Sequence, residues 1–191
     1  ATDQQGQYFF DIFTTDGFLG DLPLVNFAYA PYFEVLPRKY RFRILNACMS
    51  RFLKLALSWN GVAAPFQFIA NDGNFVVNPI TLTELDEQGI AERYDIVIDF
   101  SQFGLNQRLY LVNRLAMRDD GRGPREALSL GQALAGDPSD RVIGKMLEFR
   151  VVGSVQSVDD PLQTLTVANS CGTKDKSQVP AILTEQIPIV A

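Results

Sequence analysis

Short apolar runs, broken by turn-forming residues roughly every eight to twelve positions, govern most of this chain. Packed helices need longer runs with a 3.6-residue period, so this spacing points to an all-β sandwich or barrel. The clearest strand is Tyr40-Arg41-Phe42-Arg43-Ile44-Leu45, introduced by Pro37. Side chains alternate along a strand, so Tyr40, Phe42 and Ile44 share one face and Arg41 and Arg43 the other. Residues 94–100 repeat the pattern, with Tyr94, Ile96, Ile98 and Phe100 inward and Asp95 and Asp99 outward. Residues 52–57 alternate too, placing Leu53, Leu55 and Leu57 together.

Further strands are expected at 8–13, 24–27, 32–35, 66–69, 109–112 and 147–152, with 75–77 and 80–82 paired or bent around Pro79. Asn60-Gly61 and Asn71-Asp72-Gly73-Asn74 read as tight turns, because Asn, Asp and Gly tolerate positive φ. Asp16-Gly17 and Gly20-Asp21 read the same way. Residues 114–145 form a long excursion between two strands, with a polar loop at 119–124 and one or two helical turns expected between Glu126 and Leu134. Loops of that length are functional or mobile. Residues 154–191 carry Pro161, Pro180 and Pro188 and no sustained period. The expected organisation is one domain over residues 7–153 and an extended linker over 154–191.

The decisive count is histidine, of which there is none. That excludes Ser-His-Asp and Cys-His catalysis, imidazole metal sites and a histidine pH switch within this chain. Seventeen basic and 22 acidic residues give a net charge of −5, opposite to the basic surface that nucleic acid demands. No apolar run approaches the ~20 residues of a membrane-spanning helix. The first residue, Ala1, is not Met, so a processed chain or a piece of a larger one is expected. Cys48 and Cys171 could form one bridge closing a long loop; two separate thiols are expected, since one falls in the sheet region and the other in the tail.

Each remaining chemical candidate has an ordinary structural reading. Arg38-Lys39-Tyr40-Arg41-Phe42-Arg43 mixes cations and rings, but alternation sends the rings to the core and separates them from Arg41 and Arg43. Thr83-Glu84-Leu85-Asp86-Glu87 is the densest acidic stretch and lacks the spaced oxygens of a calcium loop. Asp119-Asp120 and Asp159-Asp160 sit in turn-like contexts, where Asp serves the backbone. Gly144-Lys145 lacks the glycine spacing and the following Ser or Thr of a phosphate loop.

The stretch from Gly20-Asp21-Leu22-Pro23-Leu24-Val25-Asn26 through Pro37-Arg38-Lys39-Tyr40-Arg41-Phe42-Arg43-Ile44-Leu45-Asn46-Ala47 resembles the middle cupredoxin-like domain of bacterial multicopper oxidases, the laccase and bilirubin-oxidase group. Ser50-Arg51-Phe52, then Phe68-Ile69-Ala70-Asn71-Asp72-Gly73, then Glu92-Arg93-Tyr94-Asp95-Ile96-Val97-Ile98-Asp99-Phe100 continue the likeness in order, so that it covers residues 20–112. Cys48-Met49 and Gln88-Gly89-Ile90-Ala91-Glu92 depart from the family, which usually has a small polar residue or Ala and a Pro-Gly-Glu turn there.

The resemblance implies a cupredoxin-like Greek-key sandwich. It also implies a parent that couples oxidation of phenolic, aminic or metal-ion donors to reduction of dioxygen, with copper bound mostly by histidines of first and third domains. For this chain it implies no catalytic residue, no cofactor-binding residue, no metal ligand and no copper, with flanking cupredoxin domains as partners and a periplasmic or secreted parent. Arg93 and Asp95 are expected to brace strand ends, and Asp72-Gly73 to shape a turn. The alternatives are a non-catalytic carbohydrate- or protein-binding sandwich and an independent enzyme built on a carboxylate pair.

Overall fold

The computed structural model describes residue 5 and residues 18–20, 22–118 and 123–154. The strand expected at 8–13, Asp16-Gly17, Asp21, Asp119-Asp120, Asp159-Asp160, Cys171 and the linker beyond Ser154 lie outside the described residues. Thirteen strands are described: β1 (Leu24–Val25), β2 (Ala28–Tyr29), β3 (Tyr32–Val35), β4 (Lys39–Leu45), β5 (Leu55–Trp59), β6 (Val62–Ala63), β7 (Phe66–Asn71), β8 (Asn74–Leu82), β9 (Arg93–Asp99), β10 (Arg108–Asn113), β11 (Leu115–Met117), β12 (Pro124–Ala127) and β13 (Gly144–Val151). A single short helix, α1 (Leu130–Ala135), and one 3-10 turn (Phe100–Gln102) accompany them.

Two sheets carry the fold, in the orders β4-β9-β7-β8 and β3-β13-β10-β5-β6. The β3–β13 pair is parallel and joins strands far apart in sequence, whereas the other pairs are antiparallel. This crossing-over of distant strands gives the cupredoxin-like sandwich that the alternation and the resemblance pointed to. The expected inward residues meet between the sheets: Tyr40, Phe42, Leu53, Leu55, Ile96, Ile98 and Phe100 all lie in one buried cluster. Phe42 packs edge-on against Phe33 and Phe100 and tilts over Phe149 at 5.1 Å. Burying each such side chain contributes roughly 1.5–3 kcal/mol.

Several expectations are corrected. Ile44 stays half-buried at the end of β4, and Leu53 precedes β5 and is tied to Gln88 by a reciprocal pair of backbone hydrogen bonds. β5 does not alternate in burial, because Leu55, Ala56, Leu57 and Ser58 are all buried. The cause is the 114–145 excursion, which is largely ordered. It forms the β11–β12 hairpin and α1, and Ala133 of α1 joins Val112, Ala116 and Ile143 in a second small core on the outer face of the five-stranded sheet.

The helix also starts later than expected. Glu126 and Ala127 are held in β12 opposite Ala116 and Leu115. Ser129 then caps α1: its hydroxyl accepts from the Gln132 N–H and the Gln132 side chain accepts from the Ser129 N–H. Residues 74–82 form one bent strand, with Phe68 opposite Ile80 but Ala70 opposite Phe75, so the residues between bulge outward around Pro79. Both expected tight turns form, with φ of 50° and 82° at Asn60 and Gly61 and 48° and 85° at Asp72 and Gly73.

Candidate functional site

The cation-and-ring stretch resolves as alternation requires. Tyr40 and Phe42 enter the core, and the Tyr40 hydroxyl accepts the Leu36 N–H at 2.9 Å. On the opposite face Arg41 donates through Nε to Asp95 at 2.9 Å and through its Nη2 to the same oxygen. Asp95 is therefore neither a solvated outward carboxylate nor a strand-end brace; it sits buried in mid-strand between two arginines. Arg93 does brace an end: the Asp72 carboxylate accepts its backbone N–H at 3.0 Å and lies 3.5 Å from its Nε, locking the 71–74 turn to the start of β9. Asp72-Gly73 shapes that turn as expected.

The acidic stretch at 83–87 is occupied by cations of the protein itself. Glu84 pairs with Arg114 and lies 4.0 Å from the Lys54 ammonium, while Asp86 lies 3.8 Å from the same ammonium. A bound calcium ion would have to displace both pairings, which weakens the calcium-binding alternative.

Sequence reasoning overlooked four buried polar side chains that fix the loops. The Asn46 amide donates to the Arg51 and Gln88 carbonyls at 2.8 and 3.0 Å. Gln88 in turn donates to the Ile44 and Glu92 carbonyls at 3.1 and 2.7 Å. Arg51 pairs with Asp140 at 2.8 Å and donates to the Leu19 and Gly20 carbonyls at 3.3 Å. Asn113 accepts from Lys54 and Leu115 and donates to the Val142 carbonyl. The available signal was positional: Asn46 and Asn113 each follow directly on an apolar strand, where a side-chain amide can close the ladder.

Copper chemistry finds no matching donor set here. Type-1 and cluster sites are built on imidazoles and a thiolate, and the sequence has no histidine. Among the described residues no three His, Cys, Asp or Glu side chains gather as a metal site. Cys48 is a free thiol, and burial pushes its pKa up against the weaker opposing pull of Arg51, which favours the protonated form over the thiolate. The described residues do not supply the donor set of a type-1 or cluster copper site.

Several apolar side chains remain on the surface. Val77 is 97% exposed on β8, flanked by exposed Phe75 and Ile80, and Leu22, Leu24 and Phe27 are exposed around β1. No family model matches the chain. It is 34% identical over 169 residues to a laccase of Bacillus stratosphericus, covering 87% of this chain and 31% of that protein. It is 32% identical over 148 residues to the multicopper oxidase LPR1 homolog 1 of Oryza sativa subsp. japonica, covering 74% of this chain and 24% of the relative. This chain belongs to the multicopper oxidase family. A crystal structure agrees: the 2F4 variant of the McoA multicopper oxidase from Aquifex aeolicus superposes with a TM-score of 0.61 at 27% identity, over 81% of this chain and 30% of that one. This multicopper oxidase chain spans about a quarter to a third of the curated relatives it matches.

Proposed function

We propose that this chain is the copper-free middle domain of a multicopper oxidase, the sandwich over residues 7–153 that holds two copper-bearing domains in one fixed geometry, with residues 154–191 as the linker to the third. The observation that carries the reading is a conjunction: homology to multicopper oxidases in a segment with no histidine. Copper sites of such oxidases need imidazole ligands, so in this reading the ligands belong to other parts of the parent. The parent couples one-electron oxidation of phenolic, aminic or metal-ion donors to reduction of dioxygen to water. This segment contributes no reacting group to that chemistry.

Its contribution is rigidity and surface. Electron transfer between copper centres on separate domains requires their positions to be held closely, and a well-packed sandwich supplies that. The exposed Phe75, Val77 and Ile80 make β8 an apolar sheet edge, which suits burial against a neighbouring domain. The test is complementation. Fused between histidine-bearing first and third domains, this segment should restore dioxygen uptake with a phenolic donor, and an unrelated sandwich of equal size should not. The chain alone, reconstituted anaerobically with copper, should show no intense thiolate-to-copper absorption; such a band with dioxygen uptake would overturn the reading.

A further inference from the structure

We propose that the pocket between α1 and the outer face of the five-stranded sheet is a binding site for a small hydroxylated monocarboxylate of the sugar-acid type. The pocket is an open cleft of about 410 Å3, within the roughly 300–1,000 Å3 of small-molecule sites. It exists because the 114–145 excursion folds back over the sheet: Leu134 of α1 forms one wall, Tyr110 of β10 another, and the Asn60-Gly61 turn a third.

Its charge is opposite to that of the chain. Net charge is −5, yet the pocket wall holds Arg108 and Lys145 and no carboxylate. Lys145 places its ammonium 4.1 Å from the centre of the Tyr110 ring, an aromatic seat that fixes the cation without neutralising it. Outside the pocket, Glu148 is engaged at 2.7 Å by Arg150 and lies 3.4 Å from the Arg108 Nε. Two guanidiniums thus share Glu148, and Glu34 faces Arg150 from β3 as a second carboxylate, so the pull on an anion falls chiefly to Lys145. The remaining polar groups are neutral. Gln107 accepts from the Trp59 indole at 3.0 Å, leaving its NH2 group as a donor beside the Asn60 and Asn106 amides.

Ser58 adds an independent sign. It lines the pocket, opposes Tyr110 across the β5–β10 pair and is fully buried, and its hydroxyl has no hydrogen-bond partner among the described residues. Two cations with three amides match one carboxylate and several hydroxyls.

The probe is D-gluconate, titrated calorimetrically into the full chain, with D-glucose and inorganic phosphate in parallel. Saturable gluconate binding at least tenfold tighter than either is expected. Glucose binding equally well would remove the role of charge, phosphate binding equally well would reduce the pocket to an anion trap, and no saturable gluconate binding would end the proposal. Lys145→Gln and Arg108→Gln should each weaken gluconate at least tenfold, whereas Arg125→Gln on the β12 surface should leave it unchanged. Amide shifts in the unmodified chain give a second reading free of folding defects. Gluconate should move Asn60, Asn106 and Gln107, and shifts confined elsewhere would overturn the assignment.

Discussion

Arg41 binds Asp95 on the diagonal of the β4–β9 pair, although the residue directly opposite Asp95 is Arg43. Arg43 comes no closer than 3.9 Å and keeps 62% of its side chain exposed, while Arg41 and Asp95 keep 15% and 11%. Arg41 also lies over the Phe75 ring of β8 at 5.2 Å, so a ring from the opposite edge strand of the same sheet shields its pairing from water. Two arginines of identical chemistry on one strand face thus occupy different dielectric surroundings.

Arg41→Gln should therefore destabilise the fold by about 3 kcal/mol, because it strands a buried carboxylate. Arg43→Gln should change stability by less than about 1 kcal/mol, as expected for an exposed, screened partner. Urea unfolding of both variants checks this, and equal losses would contradict the assignment of Arg41 as the main partner.

Phe42→Ala should cost about 3–5 kcal/mol, since the ring touches Phe33 and Phe149 of the facing sheet and Phe100 of the 3-10 turn. The same chemical denaturation series should show an unchanged slope and a lowered midpoint. A loss below about 1 kcal/mol would mean that the two sheets do not meet at this ring.

Gly144 opens β13 at φ 116°, and a Cβ there would stand 3.0 Å from the Ala133 carbonyl of α1. Gly144→Ala should destabilise by more than about 1 kcal/mol, through both the backbone region and the contact. Hydrogen exchange should quicken in α1 ahead of β9, because the contact seats the helix. Uniform acceleration would argue against that local origin.

Cys48 gives a pH dependence of defined sign. Its thiol pKa is raised in the folded protein, first by burial, so folding favours the protonated form. The associated stability is complete below the unfolded thiol pKa of about 8.5 and is lost as pH rises through the higher folded value. Thermal unfolding of wild type and Cys48→Ser should diverge only in that alkaline range. Site-resolved alkylation by iodoacetamide should be slow at Cys48 near neutral pH, and rapid labelling there would refute the raised pKa.

The sequence by itself determined the sheets, because alternation is a local property: Tyr40, Phe42, Ile96 and Ile98 can face one core only if each neighbour faces away. It determined the turns at Asn60-Gly61 and Asp72-Gly73 for the same local reason, the tolerance of positive φ. The missing histidines needed no structure at all. Only the tertiary structure decided how the outer faces are used. That α1 covers β10 and β13, that Asp95 is buried beneath Arg41, and that Arg108, Tyr110 and Lys145 surround one pocket depend on contacts between segments far apart in sequence. No periodicity encodes those contacts. Lys54, Glu84 and Arg114 show the same limit: each reads as an ordinary surface charge, and only folding brings them into one pairing. Burial on a second face is a property of what packs across it, and a strand's own alternation describes one face at a time.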